Sequence, residues 1–81
     1  MRMTVEQFKE WLDTGREIEF NYDGLEYFIG NYEEGRAIFQ LNYIKTPYYK
    51  DSNEFLEKVS IKSKGIKEII FNNQLQIKTI F

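Results

Sequence analysis

Three carboxylates, Glu17, Glu19 and Glu26, have the spacing in this chain that comes nearest to a chemical site. Glu17 and Glu19 lie two residues apart and so share one face of an extended strand, and Glu26 falls across a turn from them. Carboxylates gathered in this way bind Mg²⁺ or Ca²⁺, or share a proton. Nothing beside them in the sequence would order a cation, and an acidic sheet face serves solubility equally well, so no metal or cofactor is expected. A second set joins Tyr48 and Tyr49 to Lys45 and Lys50, with Lys62 and Lys64 further on. Aromatic stacking plus phosphate attraction is how single-stranded nucleic acid is held. Against this, the sequence pI is about 5.1, far from the basic footprint of a dedicated binder.

The 81 residues include no His and no Cys. That removes the usual general base near neutral pH, the best thiol nucleophile and most zinc ligands. It also leaves no disulfide framework. The five glycines fall at turns, with no GxGxxG or GxxxxGK[ST] run to cradle a phosphate. A non-enzymatic protein is expected.

The elements that position these residues are legible from period and punctuation. Thr4 and Gln7 have capping-box spacing, and Val5, Phe8, Trp11 and Leu12 share one helical face. Gly15 supplies the left-handed exit, so a helix is predicted over 5–14, with Trp11 in the core. Asp23-Gly24 is the dipeptide a two-residue hairpin turn requires. It pairs Tyr22 with Leu25, Phe20 with Tyr27 and Ile18 with Ile29, six apolar residues on one face. The opposite face carries Glu17, Glu19, Asn21, Glu26 and Phe28.

After Tyr32, a two-residue turn at Glu34-Gly35 would pair Ile29 with Gln40 and send Phe39 and Leu41 to the polar face; the register taken is a three-residue loop with Gly35 left-handed, which pairs Ile29 with Phe39 and Tyr27 with Leu41. This register puts Phe39, Leu41 and Tyr43 in the core and Ile38 beside Gly30 on the polar face. Pro47 ends the third strand, and adjacent Tyr48 and Tyr49 point opposite ways. Asp51 or Ser52 caps a helix over 53–59 with Phe55, Leu56 and Val59 buried. Lys62-Ser63-Lys64-Gly65 is a polar break, and Ile66, Ile69 and Ile70 mark a further helical segment. Asn72-Asn73 turns into a final strand over 74–81, with Leu75, Ile77 and Phe81 on one face. The predicted class is a single α+β domain of order α-β-β-β-α-α-β: an antiparallel meander plus a C-terminal strand.

Phe28 stands mid-strand on the polar face with Gly30 two residues on and Tyr32 beyond. It either covers the bare glycine, or forms the apolar centre of a protein interface, or lies under the second helix or the loop after Pro47. The interface reading assigns partner binding to Glu17, Glu19, Glu26, Phe28, Tyr32, Glu33, Glu34 and Ile38. The alternative nucleic-acid surface uses Lys45, Tyr48, Tyr49, Lys50, Lys62 and Lys64. A third reading is a self-assembling protein or homodimer pairing through the outer sheet face or a strand edge.

Charge is divided along the chain. Residues 1–34 carry nine acids and three bases, a net −6, and residues 35–81 carry eight bases and four acids, a net +4. Such asymmetry marks either a charged partner or two surfaces that meet on folding, and the second is the expectation. No stretch approaches a membrane span, and no apolar leader precedes the first helix, so a cytoplasmic protein is expected.

The run from Gln7 to Gly24, and the later Ile61-Lys62-Ser63-Lys64-Gly65-Ile66-Lys67-Glu68-Ile69-Ile70, resemble small uncharacterised α+β proteins of low-GC Gram-positive bacteria and their phages. The resemblance touches about two-thirds of the chain and implies an inhibitor of a bacterial nucleic-acid-targeting defence complex, as anti-CRISPR proteins are. Its partner would be a host protein or ribonucleoprotein, with the acids above meeting Lys and Arg that normally hold phosphate.

Overall fold

The computed structural model describes residues 3–81; Met1 and Arg2 lie outside the described residues. The chain runs α1 (Val5–Asp13), β1 (Ile18–Tyr22), β2 (Leu25–Tyr32), β3 (Gly35–Gln40), β4 (Tyr43–Ile44), α2 (Ser52–Lys58), β5 (Ser60–Ile61), β6 (Lys64–Gly65), α3 (Ile66–Phe71) and β7 (Leu75–Ile80). This is the predicted order, with β4 and the β5–β6 ribbon as additions. The capping box forms as read: Thr4 Oγ1 accepts from the Gln7 amide and Gln7 Oε1 from the Thr4 amide, both at 3.1 Å. Asp51 caps α2 by accepting the Asn53 amide at 2.7 Å.

Five strands form one antiparallel sheet in the order β4-β3-β2-β1-β7. The β1–β2 register is the predicted one in all three pairs, and Asp23 and Gly24 take φ of 53° and 77°. One face of this sheet meets α1, α2 and α3. Phe8 and Leu12 from α1, Phe55 and Leu56 from α2, and Ile66, Ile69 and Ile70 from α3 pack on Ile18, Phe20, Ile29 and Ile38. Each of these large side chains contributes about 1.5–3 kcal/mol by leaving water. Trp11 packs edge-on to Phe8 at the margin of this core, half-buried.

The β2–β3 register differs from the prediction by one residue. Ile29 pairs with Ile38, Phe28 with Phe39 and Tyr32 with Gly35, closed by a two-residue turn at Glu33-Glu34. Gly35 keeps a positive φ, +129°, but as the first residue of β3, and a close approach also demands glycine there. A Cβ there would lie 2.6 Å from the Tyr49 carbonyl carbon, because Tyr49 exchanges backbone hydrogen bonds with Arg36 along the outer edge of β3. The slip inverts every side chain of β3. Ile38 is therefore in the core, fully buried, and is not part of the polar face; Phe39 takes that place. Leu41 and Tyr43, expected inside, are 86% and 72% exposed at the β3–β4 turn.

Two further differences lie in the second half. Lys62 and Ser63 form the tight turn of the β5–β6 ribbon, with φ of 52° and 70°, so the polar break is a hairpin. In β7, Ile77 pairs with Phe20 but Thr79 with Glu19, leaving Lys78 as the extra residue of a bulge. Leu75 and Ile77 face the core as read, whereas Phe81 is turned to the opposite face.

Candidate functional site

The sheet face turned away from the helices carries an aromatic row that runs across the strands. Phe28 on β2 pairs with Phe39 on β3, and Phe39 with Ile44 on β4. Phe81, after the β7 bulge, meets Phe28 edge-on at a ring separation of 6.4 Å. Tyr48 reaches the same face from the loop after Pro47, contacting Phe39 at 6.5 Å and Tyr32 at 6.2 Å, and Tyr32 also meets Phe39 at 5.7 Å. These are the edge-to-face geometries aromatic rings prefer. The loop after Pro47 thus edges this face, and α2 packs on the other one. Gly30 is covered by Tyr32 and not by Phe28: a Cβ at Gly30 would sit 2.4 Å from Tyr32 Cε2. Ile44, Tyr32, Tyr48 and Phe81 remain exposed, and Phe28 and Phe39 half-buried.

Beside the row, Glu19, Glu26, Phe28, Phe39 and Leu41 enclose a shallow hollow of about 500 Å³. Its two carboxylates are not equivalent. Glu26 accepts from Lys78 Nζ at 2.9 Å, and this bond holds the Lys78 ammonium above its usual range, Glu19 adding a smaller effect. Glu17 is engaged otherwise, accepting the Asn31 amide at 3.1 Å. Glu19, Glu33 and Glu34 form no ion pair among the described residues. No three acids converge as a cation site among the described residues.

Of the predicted partner-binding residues, Phe28, Tyr32, Glu19 and Glu26 therefore share the outer face, Glu33 and Glu34 form the turn at its end, and Ile38 is withdrawn into the core. Phe39, Ile44, Tyr48 and Phe81 complete the row and were not in that set. Phe39 had no local signal, because Ala37, Ile38 and Phe39 form an unbroken apolar run, and neither did the turning of Phe81.

The six residues of the nucleic-acid reading do not form one surface. Tyr48 is on the outer face, while Tyr49 packs edge-on against Phe55 on the helical side, 6.3 Å away. Lys62 Nζ is bonded to Asp23 at 2.8 Å, and the Lys50 carbonyl accepts from Arg36. Lys45 and Lys62 line a cavity that Tyr48 and Tyr49 do not reach.

Sheet edges bear on self-assembly. On one side β3 is closed by β4, by Thr46 Oγ1 accepting the Ile38 amide, and by Tyr49. On the other, no strand among the described residues lies beyond β7, which carries the bulge and Lys78, two features that blunt edge pairing. Among the described residues no helix is long and apolar enough to cross a membrane. No protein-family profile, curated protein or solved structure matches the chain.

Proposed function

We propose that this protein is a non-enzymatic binding module that engages a partner protein through the sheet face opposite its helices. The observation that carries this reading is the row Phe81–Phe28–Phe39–Ile44, joined by Tyr32 and Tyr48 and left uncovered by the chain's own helices. An aromatic centre with a charged rim is the anatomy of a protein interface, where a few aromatic anchors dominate the energy. Glu19, Glu33 and Glu34 at the rim favour a partner rich in Lys and Arg. In its sharpest form the partner is a bacterial nucleic-acid-targeting defence complex, inhibited when these acids occupy groups that otherwise hold phosphate.

The test is capture of a specific protein by the wild type beside Phe39→Ala and Glu19→Lys variants. The expected result is loss of about tenfold or more in affinity for Phe39→Ala, because the anchor is central. Glu19→Lys weakens association most at low salt, since rim charges act through screened attraction. Equal retention by folded Phe39→Ala would remove the reading.

A further inference from the structure

On the opposite side of the sheet, where the helical layer ends, the β5–β6 ribbon and the β4 loop leave a cavity of about 290 Å³. Its floor is apolar, made by Tyr27, Ile38 and Ile61, and its rim brings together Lys45, Lys62 and Ser60. Its lining is mixed, with Gln40, Lys45, Thr46, Ser60 and Lys62 set around the apolar floor, and its volume lies at the lower end, about 300 Å³, of small-ligand sites.

Two observations give the site a sign. No carboxylate lines it; Asp23 reaches it only through Lys62 Nζ. The Lys45 ammonium has no ion-pair partner among the described residues. Tyr27 is only 6% exposed, and its hydroxyl, which is not sealed from solvent, makes no hydrogen bond to the described residues and is free to donate. Lys62, on the same rim, is held by Asp23, whose hydrogen bond keeps the Lys62 proton more tightly than usual.

We propose that this cavity binds a small monoanion with an apolar body, an aromatic or branched carboxylic acid. Its carboxylate accepts from the Tyr27 hydroxyl and faces the Lys45 ammonium, and its hydrocarbon lies on Ile38 and Ile61. The site is separate from the aromatic row and stands or falls without it.

The experiment is a ¹H–¹⁵N titration of the full chain with benzoate, with benzamide and inorganic phosphate as comparison probes. Benzoate at millimolar concentration is expected to give saturable shifts at Tyr27, Lys45 and Ile61, with benzamide about tenfold weaker and phosphate weaker still. Tyr27→Phe should reduce benzoate affinity about tenfold and Lys45→Met about threefold, Lys45 being exposed and its replacement harmless to folding. Absence of saturable shifts at these amides overturns the proposal. So does benzamide or phosphate matching benzoate, or unchanged affinity in both folded variants.

Discussion

Two glycines of neighbouring strands separate stability from function at the level of single residues. Gly35 has a φ of +129°, and a Cβ there would meet Tyr49 backbone at 2.6 Å. Backbone on both sides of such a contact has little room to yield. Gly35→Ala is expected to cost about 2–3 kcal/mol, read as a lowered urea midpoint, by pushing the Tyr49 segment off β3. At Gly30 the obstructing atoms are the end of the Tyr32 ring, which can swing away. Gly30→Ala should therefore lose under about 1 kcal/mol on the same assay while weakening partner capture, since Tyr32 leaves its place beside Phe39 and Tyr48. Residue types alone made Phe28 and Tyr32 visible, because large apolar groups on an acidic strand face are conspicuous. Ile38 was misplaced because Ala37, Ile38 and Phe39 are three consecutive apolar residues, and such a run does not choose its own inward face.

Among the elements, the hairpins differ in how well their turn residues suit their turns. Asp23-Gly24 places glycine at the second left-handed position, whereas the β5–β6 turn uses Lys62 and Ser63 at φ of 52° and 70°. A side chain in that region costs about 1–2 kcal/mol. Ser63→Gly should accordingly raise unfolding free energy by about 1 kcal/mol in denaturant titration. The same contrast explains legibility. The first hairpin could be read completely, since its turn and its alternation agree; α1 and α2 could be read from caps and apolar stripes, and α3, which has no side-chain cap, from the spacing of Ile66, Ile69 and Ile70 alone. The second hairpin and the last strand could not. Gly35 answers to Tyr49, fourteen positions away, and the β7 bulge answers to β1 across the sheet. Neither contact leaves a trace in its own neighbourhood of the chain.

At the level of the whole molecule, the acidic N-terminal part and the basic C-terminal part meet as the composition suggested. Asp23 pairs with Lys62 and Glu26 with Lys78, joining positions 39 and 52 residues apart. The Lys62 hydrogen bond lowers the Asp23 carboxyl from its ordinary value, and the Asp23 bond raises the Lys62 ammonium. The lowered carboxyl stabilises the fold above the ordinary carboxylate range, and that share is lost as pH falls through it. The raised ammonium stabilises below the ordinary lysine range, and that share is lost as pH rises through it. Lys62→Met should therefore lower the thermal midpoint between about pH 5 and 9 and converge on the wild type below about pH 3 and above about pH 11. Both partners are exposed, so the gap will be small and will shrink with added salt.

The bulge at Lys78 also bears on which changes of length this chain tolerates. With Lys78 set aside as the supernumerary residue, Leu75, Ile77 and Ile80 alternate inward while Gln76, Thr79 and Phe81 alternate outward, as in a plain strand. A lineage that dropped position 78 would keep every remaining side chain of β7 in phase, whereas one that dropped position 77 would bring a lysine to the core face. In β7, indels are thus filtered by parity: the strand can shed its one redundant residue and still present the terminal phenylalanine to the same surface.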